Sequence, residues 1–182
     1  EKYSETFRVI DKENGGHGSC CNVGLRYATG KYIRFLDSDD WFDATDFPKF
    51  MDLLTQIDCD LILANYVEDY VYKKFSRNID YCNKCNNKIY LAKEFPFNLF
   101  DSFSTLHRST FKTEPLRQSS IIFTEKASFD DTVLYILPFK TIKTIYCTDF
   151  HVYHYFIGRE GQSINGVDER KVNMFIHEFK KL

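Results

Sequence analysis

The sequence predicts an α/β domain built on a mostly parallel sheet with flanking helices, and three observations lead there. Over the first 66 residues, apolar runs and amphipathic segments succeed one another as strand, loop, helix, strand, helix, strand, an order that favours parallel pairing through helical crossovers. The run Asp60-Leu-Ile-Leu-Ala-Asn-Tyr66 is almost wholly apolar, as a strand covered on both faces requires. Just before it, Phe47, Phe50, Met51, Leu54 and Ile57 recur at helical spacing, which gives a helix with one buried face.

Taken in order, Thr6 to Ile10 has strand character, and the loop Asn14-Gly-Gly-His-Gly18 follows. Ser19 is a candidate N-cap for a helix running to about Ala28, and Gly30 falls at that helix's C′ position. Lys31 to Leu36 reads as a strand that ends abruptly in Asp37-Ser-Asp-Asp40. Asp46 is placed to cap the next helix, with Pro48 tolerated in its first turn. Tyr70 to Phe75 and Asn87 to Leu91 have strand character, whereas the aromatic stretch from Phe95 to Phe111 fits no single period. Apolar order returns at Ser119 to Phe123, a helix starts near Asp130 and runs through Leu137, and strands follow near Lys143 to Cys147 and His151 to Phe156. The loop Gly158-Arg-Glu-Gly-Gln-Ser163 leads to a closing amphipathic helix, with Asp168 as cap and Val172, Phe175, Ile176, Phe179 and Leu182 on one face.

Composition narrows the function. At 182 residues, 43% hydrophobic and 27% charged, the chain buries one real core and is not a disordered tail. Lys plus Arg number 24 against 26 Asp plus Glu, without the basic surplus on which nucleic-acid binding depends. No apolar run approaches the roughly 18 residues of a spanning helix, and the first residues lack a signal-peptide pattern. The six cysteines do not read as a small secreted framework but as mostly buried free thiols of a reducing compartment. Cys82 and Cys85 form one CxxC without a second pair at zinc-finger spacing, so packing outranks structural zinc or redox activity there.

The chemistry points to the acidic tip. Asp37, Asp39 and Asp40 follow directly on an apolar strand, and in open α/β sheets ligands bind beyond the carboxyl ends of strands. Carboxylates this close repel unless a cation compensates, and Mg²⁺ or Mn²⁺ suits an oxygen-rich site that leaves positions open for phosphates; an acidic turn capping the next helix is the plainer alternative. Counting from Asp37, positions six and twelve are Phe42 and Pro48, which excludes an EF-hand loop. Asp40 and Trp41 stand where an aspartyl-phosphate phosphatase would carry a hydroxyl.

Four stretches, Asn14-Gly-Gly-His-Gly-Ser19, Asn22-Val-Gly-Leu25, Ala28-Thr-Gly-Lys-Tyr-Ile33 and Phe35-Leu-Asp-Ser-Asp-Asp-Trp41, resemble in order and spacing the family 2 glycosyltransferases. Further on, Phe129-Asp-Asp-Thr132 resembles that family's acidic pair, and Gly158 to Ser163 its C-terminal mobile loop. The resemblance implies a GT-A fold, with residues 1–66 forming part of the nucleotide-sugar-binding half and 67–182 the acceptor-side half of one domain. It implies inverting transfer of a sugar from a nucleotide-diphosphate donor to an acceptor hydroxyl. By the same likeness Asp39 holds the metal and Asp37 contacts the donor ribose, with Gly16 and Gly18 letting backbone approach the donor. Asp131, with Asp130 as alternative, is the candidate base, because a neutral alcohol is a poor nucleophile. Arg159, Gln162 and Ser163 would close on the diphosphate, and Arg159 would counter the charge of the leaving group. His154 is a further candidate metal ligand, with a core or stacking role as its alternative, and Trp41 a candidate acceptor-side platform. The implied partners are a nucleotide-diphosphate sugar and a saccharide or lipid-linked saccharide acceptor, in surface-polysaccharide synthesis on the cytoplasmic side. Peripheral membrane attachment and homo-oligomers are compatible with this.

Two departures stand out. Cys20-Cys-Asn22 occupies the place where many family members have Ala-Arg-Asn, and the family's first two strands have no counterpart before Thr6. A nucleotidyltransferase of the same fold would want Lys or Arg in the glycine loop, which Asn14 to Ser19 lacks; a non-catalytic binding module of the same fold is the other alternative. Parallel strands without neighbours expose an edge, so the 182-residue chain alone is expected to bind nucleotide weakly or not at all and to tend to self-associate. Tight UDP binding in calorimetry would overturn this expectation.

Overall fold

A computed structural model of the chain describes residues 6–85, 87–97, 106–160, 162 and 168–180. Its centre is a parallel pair of long strands, β3 (Leu61–Tyr70) and β7 (Thr144–Phe156), whose register runs from Leu61 opposite Ile145 to Asp69 opposite Phe156. The shorter strands β1 (Tyr32–Ile33), β2 (Trp41–Phe42), β4 (Phe75–Ile79), β5 (Ile89–Leu91) and β6 (Ser109–Lys112) complete a seven-stranded sheet of the described residues. The first half of β3 pairs with β6 and its second half with β4; β7 likewise carries β5 and then β2. All of these outer pairings, and that of β1 with β6, are antiparallel.

The α/β class therefore holds, but the sheet is mixed rather than mostly parallel. The reason is local: β4 follows β3 after a single 3₁₀ turn at Val71–Lys73, and so tight a reversal allows only antiparallel pairing. The two strands expected near Lys143 and His151 are one 13-residue strand. Its irregularity lies opposite Ala64 and Asn65, where the β3–β7 register shifts. Asn65 secures that shift: its Oδ1 accepts from the Cys82 amide, and its Nδ2 donates to Asn83 and to the Asp149 carbonyl.

Alternate residues of β3 serve opposite faces, as its apolar run requires. Leu61 and Leu63 join a core with Cys21, Leu25, Phe123, Val133 and Leu134; Ile62 and Ala64 join another with Phe50, Tyr146 and Val152. Helix α1 (Gly16–Tyr27) packs on the first face and α2 (Asp46–Gln56) on the second. Met51, expected on the buried stripe of α2, is 47% exposed. The cap of α2 is not Asp46 but Asp43, whose Oδ1 accepts from the amides of Thr45 and Asp46, while Asp46 accepts from the His151 amide. Ser19 is not a cap either: α1 begins three residues earlier and buries it. Thr6 to Ile10 forms no strand, because no described strand lies beside it, and Phe7 and Val9 are exposed.

Beyond β6, α3 (Thr113–Gln118) leads to two successive 3₁₀ segments, Asp130–Tyr135 and Leu137–Lys140, where one helix was expected; Pro138 in the second cannot donate to an α-helical ladder. Helix α4 (Glu169–Phe179) closes the described chain, with the expected Asp168 cap accepting from the Lys171 amide. The six cysteines are free thiols, five of them buried. No described helix is long and apolar enough to cross a membrane. Phe50, 1% exposed beneath the sheet, is expected to cost about 3–5 kcal/mol when changed to Ala, through lost burial and the cavity left behind. Met51→Ala should stay within about 0.5 kcal/mol; urea denaturation of both variants checks this.

Candidate active site

The acidic tip hangs on β7. The Tyr153 hydroxyl donates to Asp40 Oδ2 at 2.5 Å and accepts from the Asp37 amide at 3.1 Å, while the Phe156 amide donates to Asp40 Oδ1 at 2.9 Å. The Asp40 amide closes the turn on the Asp37 carbonyl. Burial, helped by Asp37 and Asp39 and only partly offset by these donors, pushes the Asp40 carboxyl up to about 6.

The tip faces a cleft of about 590 Å³ lined by His17, Asp37, Asp39, Tyr66, His107, Asp130, Asp131, Tyr155, Arg159 and Gln162, among others. The tip, the acidic pair and the loop arginine, far apart in sequence, thus share one cavity. Asp130 and Asp131 open a 3₁₀ segment preceded by Phe129 in the left-handed region, and Thr132 ties that turn to the Phe129 carbonyl. His17 lies between the two acidic groups, with Nδ1 2.8 Å from Asp130 Oδ2 and Nε2 3.2 Å from Asp37 Oδ1. Those two bonds hold the imidazole far above its ordinary pKa. Burial works to raise Asp37, yet its bond to His17 brings it below the usual carboxylate range.

Arg159 Nη2 reaches Asp39 Oδ2 at 3.1 Å. Gln162 holds the loop to itself: its side chain accepts from the Gly158 amide at 2.8 Å and donates to the Phe156 carbonyl. His107, between Tyr155 at 4.1 Å and Tyr153 at 5.1 Å between ring centres, is lowered to about 4, chiefly by burial. Its neutral ring suits metal ligation. One ligand atom each from Asp37, Asp40 and His107 lies within 4.8 Å of the others, so two carboxylate oxygens and an imidazole nitrogen offer a set that fits a divalent cation.

Several expected roles change. His154 is outside the cleft lining; its Nδ1 is 2.6 Å from Asp69 and its Nε2 3.0 Å from Asp43. With both nitrogens on carboxylates it has no lone pair for a metal, and Trp41 stacks on it at 5.2 Å rather than lining the cleft. Asp39 meets Arg159, whereas the clustered ligand atoms belong to Asp37, Asp40 and His107. Gly16 and Gly18 flank His17, but the space above them is filled by the protein: a Cβ on Gly18 would strike the Thr124 carbonyl and the Asp130 carboxylate, and one on Gly16 would crowd Lys126. Ser163 lies outside the described residues. Sequence reasoning missed His107 and Tyr153 as site residues. His107 falls in the stretch without a period, and Tyr153 alternates like any strand residue.

The fold and this cleft define an α/β domain of the GT-A type. The sequence model of the family described as "Glycosyl transferase family 2" matches residues 1–132, and the chain belongs to that family. Among its relatives, the uncharacterized glycosyltransferase EpsJ of Bacillus subtilis is 24% identical over 162 residues, 85% of this chain and 46% of that protein. The minor teichoic acid biosynthesis protein GgaB of the same organism is 50% identical over 40 residues, 22% of this chain and 4% of that protein. The crystal structure of Staphylococcus aureus TarS 1–349 in complex with UDP-GlcNAc shares the fold with a TM-score of 0.66, at 18% identity, over 93% of this chain and 47% of that one. The chain spans less than half the length of each.

The Asp43–His154–Asp69 clamp gives a pH test. Burial works to lower His154, but the two carboxylates outweigh it and raise its pKa above the ordinary value. The stability so gained is fully present below the ordinary histidine pKa of about 6.5 and is lost as pH rises through the raised value. His154→Gln should therefore lower Tm at pH 6, by about 2–4 °C if about 1 kcal/mol is lost, with the gap to wild type closing as pH rises through the raised value. Thermal denaturation across that range checks it.

Proposed function

We propose that the protein transfers a sugar from a nucleotide-diphosphate donor to an acceptor hydroxyl, with inversion at the anomeric carbon and with help from Mg²⁺ or Mn²⁺. One observation carries this: Asp37, Asp39, Asp130, Asp131 and Arg159 line a single cleft beyond the sheet. Membership of family 2 and the fold shared with a protein solved with UDP-GlcNAc support the donor class. When bound, a divalent cation supplies Lewis-acid stabilisation of the departing diphosphate; Asp37, Asp40 and His107 would hold it, with Asp39 beside them.

The chain's own groups do the rest. Arg159 offers a guanidinium to the charge that develops on the diphosphate oxygens, a stabilisation worth most in a site sheltered from water. Asp131, with Asp130 as the alternative, takes the proton from the acceptor hydroxyl as that oxygen attacks the anomeric carbon. Attack from the face opposite the leaving group, in a single displacement, inverts the configuration. Tyr66 and Tyr155 supply apolar ring surface along the cleft, of the kind that packs against sugar faces. The acceptor is a saccharide or lipid-linked saccharide, and the setting is surface-polymer synthesis at the cytoplasmic side of the membrane, in keeping with the relationship to a teichoic acid biosynthesis protein.

The natural full-length protein should release nucleotide from one member of a panel of UDP-, GDP- and dTDP-sugars when Mn²⁺ is present, and EDTA should abolish the release. Asp131→Asn is expected to reduce the rate by about 10²–10⁴, and Asp39→Asn to raise the Mn²⁺ requirement. No metal-dependent release from any donor would overturn the assignment, and retention of the biological role by both variants would favour a non-catalytic module.

A further inference from the structure

The turn that joins β3 to β4 carries an exposed cluster that neither the core nor the cleft uses. β3 ends at Tyr70, and the 3₁₀ turn Val71–Lys73, closed by Lys74 in the left-handed region at φ 49°, reverses the chain into Phe75. Residues 71–78 are all exposed, with Tyr72 at 72%, Phe75 at 55% and Val71 at 47%. Single apolar residues are ordinary on a surface, but three on one tight reversal form a patch. Lys73 and Lys74 stand between them, and the segment 71–78 contains no carboxylate. Arg77 is paired with Glu68 at 2.6 Å, whereas Lys73 lies over the Tyr70 ring, 5.7 Å from its centre.

This turn stands at the cleft end of the sheet. β3 and β7 are parallel and end together, with Asp69 opposite Phe156. Tyr72 lies 5.8 Å from Phe156 between ring centres, and a Cβ on Gly158 would come within 3.7 Å of the Tyr72 ring. The next residue, Arg159, lines the cleft. We propose that the β3–β4 turn docks the protein on an anionic phospholipid surface, with Val71, Tyr72 and Phe75 entering the headgroup layer and Lys73 and Lys74 meeting the lipid phosphates. Charge complementarity selects this occupant. Lysines beside an apolar patch are drawn to the negative potential of such a surface, and a tyrosine ring with one polar end suits the boundary between hydrocarbon and water. A protein groove that took the three apolar side chains would have to desolvate both ammonium groups; a headgroup layer takes the rings and leaves the lysine heads hydrated. Docked in this way, the turn brings the Arg159 loop and the cleft mouth to the surface where a lipid-linked saccharide is presented. That purpose rests on the transferase reading given above, but the binding itself does not need turnover to be seen.

The experiment is co-sedimentation of the natural full-length protein with vesicles of phosphatidylcholine alone and of phosphatidylglycerol and phosphatidylcholine in equal parts, at low and high salt. Wild type should bind the anionic vesicles, hardly the neutral ones, and weaken as salt screens the lysines. Lys73→Gln/Lys74→Gln should weaken that binding by about 20–30-fold, at about fivefold for each lysine. Tyr72→Ser/Phe75→Ser should weaken it by about tenfold through lost apolar burial. Tyr72→Trp locates the contact, since its added emission should shift to the blue on anionic vesicles and be quenched by brominated lipid chains. The proposal is overturned if wild type does not bind, if both double variants bind as wild type does, or if the Tyr72→Trp emission ignores the vesicles. It also fails if Tyr72→Ser/Phe75→Ser abolishes a dimer in analytical ultracentrifugation while vesicle binding persists, which makes the turn a contact between copies. Wild type that releases nucleotide without binding vesicles sinks the membrane contact and leaves the transferase intact. Wild type that binds vesicles through this turn but releases no nucleotide from any donor does the reverse.

Discussion

The pairing of β3 with β7 determines where the acidic tip and Arg159 stand. Tyr153, on β7, carries the acidic tip on its hydroxyl, and the Phe156 amide holds Asp40 from the same strand. Three residues after Phe156, Arg159 returns to meet Asp39. Tyr155, between these anchors, lines the cleft and stacks on His107. A strand buried on both faces can do this because its own position is fixed by packing, with Ile145, Cys147, Val152 and Tyr153 completely covered. The slip of register at Asn65 lies midway along the pair and is fully satisfied by hydrogen bonds. The strands beyond it are therefore aligned by polar contacts as well as by apolar contacts.

Several carboxylates in a small volume would repel one another without compensation. The protein answers with different means at different places. His17 and Arg159 bring formal positive charge to Asp37 and Asp39. Asp40 is instead held by neutral donors, and burial leaves it close to protonation near pH 6. His107 has the opposite bias, its ring kept neutral by burial under two tyrosines. The buried Arg34 supports it from behind, donating to the His107 carbonyl and to Thr110. The neutral ring of His107 offers its lone pair without first losing a proton, whereas Asp40 gives up a proton when a cation enters below about pH 6.

Much of this was legible in the sequence where the determining interactions are local. The apolar run of β3, the Asp168 cap of α4, the acidic tip after an apolar segment and the paired carboxylates at a helical start all depend on neighbours a few residues away. What was not legible depends on partners far along the chain. Asp43 rather than Asp46 caps α2 because Asp46 is recruited by the His151 amide, more than a hundred residues on. His154 lost its expected ligand role to Asp43 and Asp69, which only the sheet brings to it. The glycines of the first loop were singled out for close approach to a ligand, whereas the approach that Gly18 permits is to the protein's own Thr124 and Asp130. A one-dimensional pattern signals that backbone must come near something, and leaves open what.

The triple tether of the tip to β7 has one more result. Because Asp37 and Asp40 are fastened through an amide, a carboxylate and a hydroxyl to a strand that cannot shift, the conformational entropy of that turn is lost when the chain folds and not when a ligand enters. A small charged guest can then be recognised by a segment only four residues long, and its affinity is set by charge and geometry without a penalty for ordering the loop that receives it.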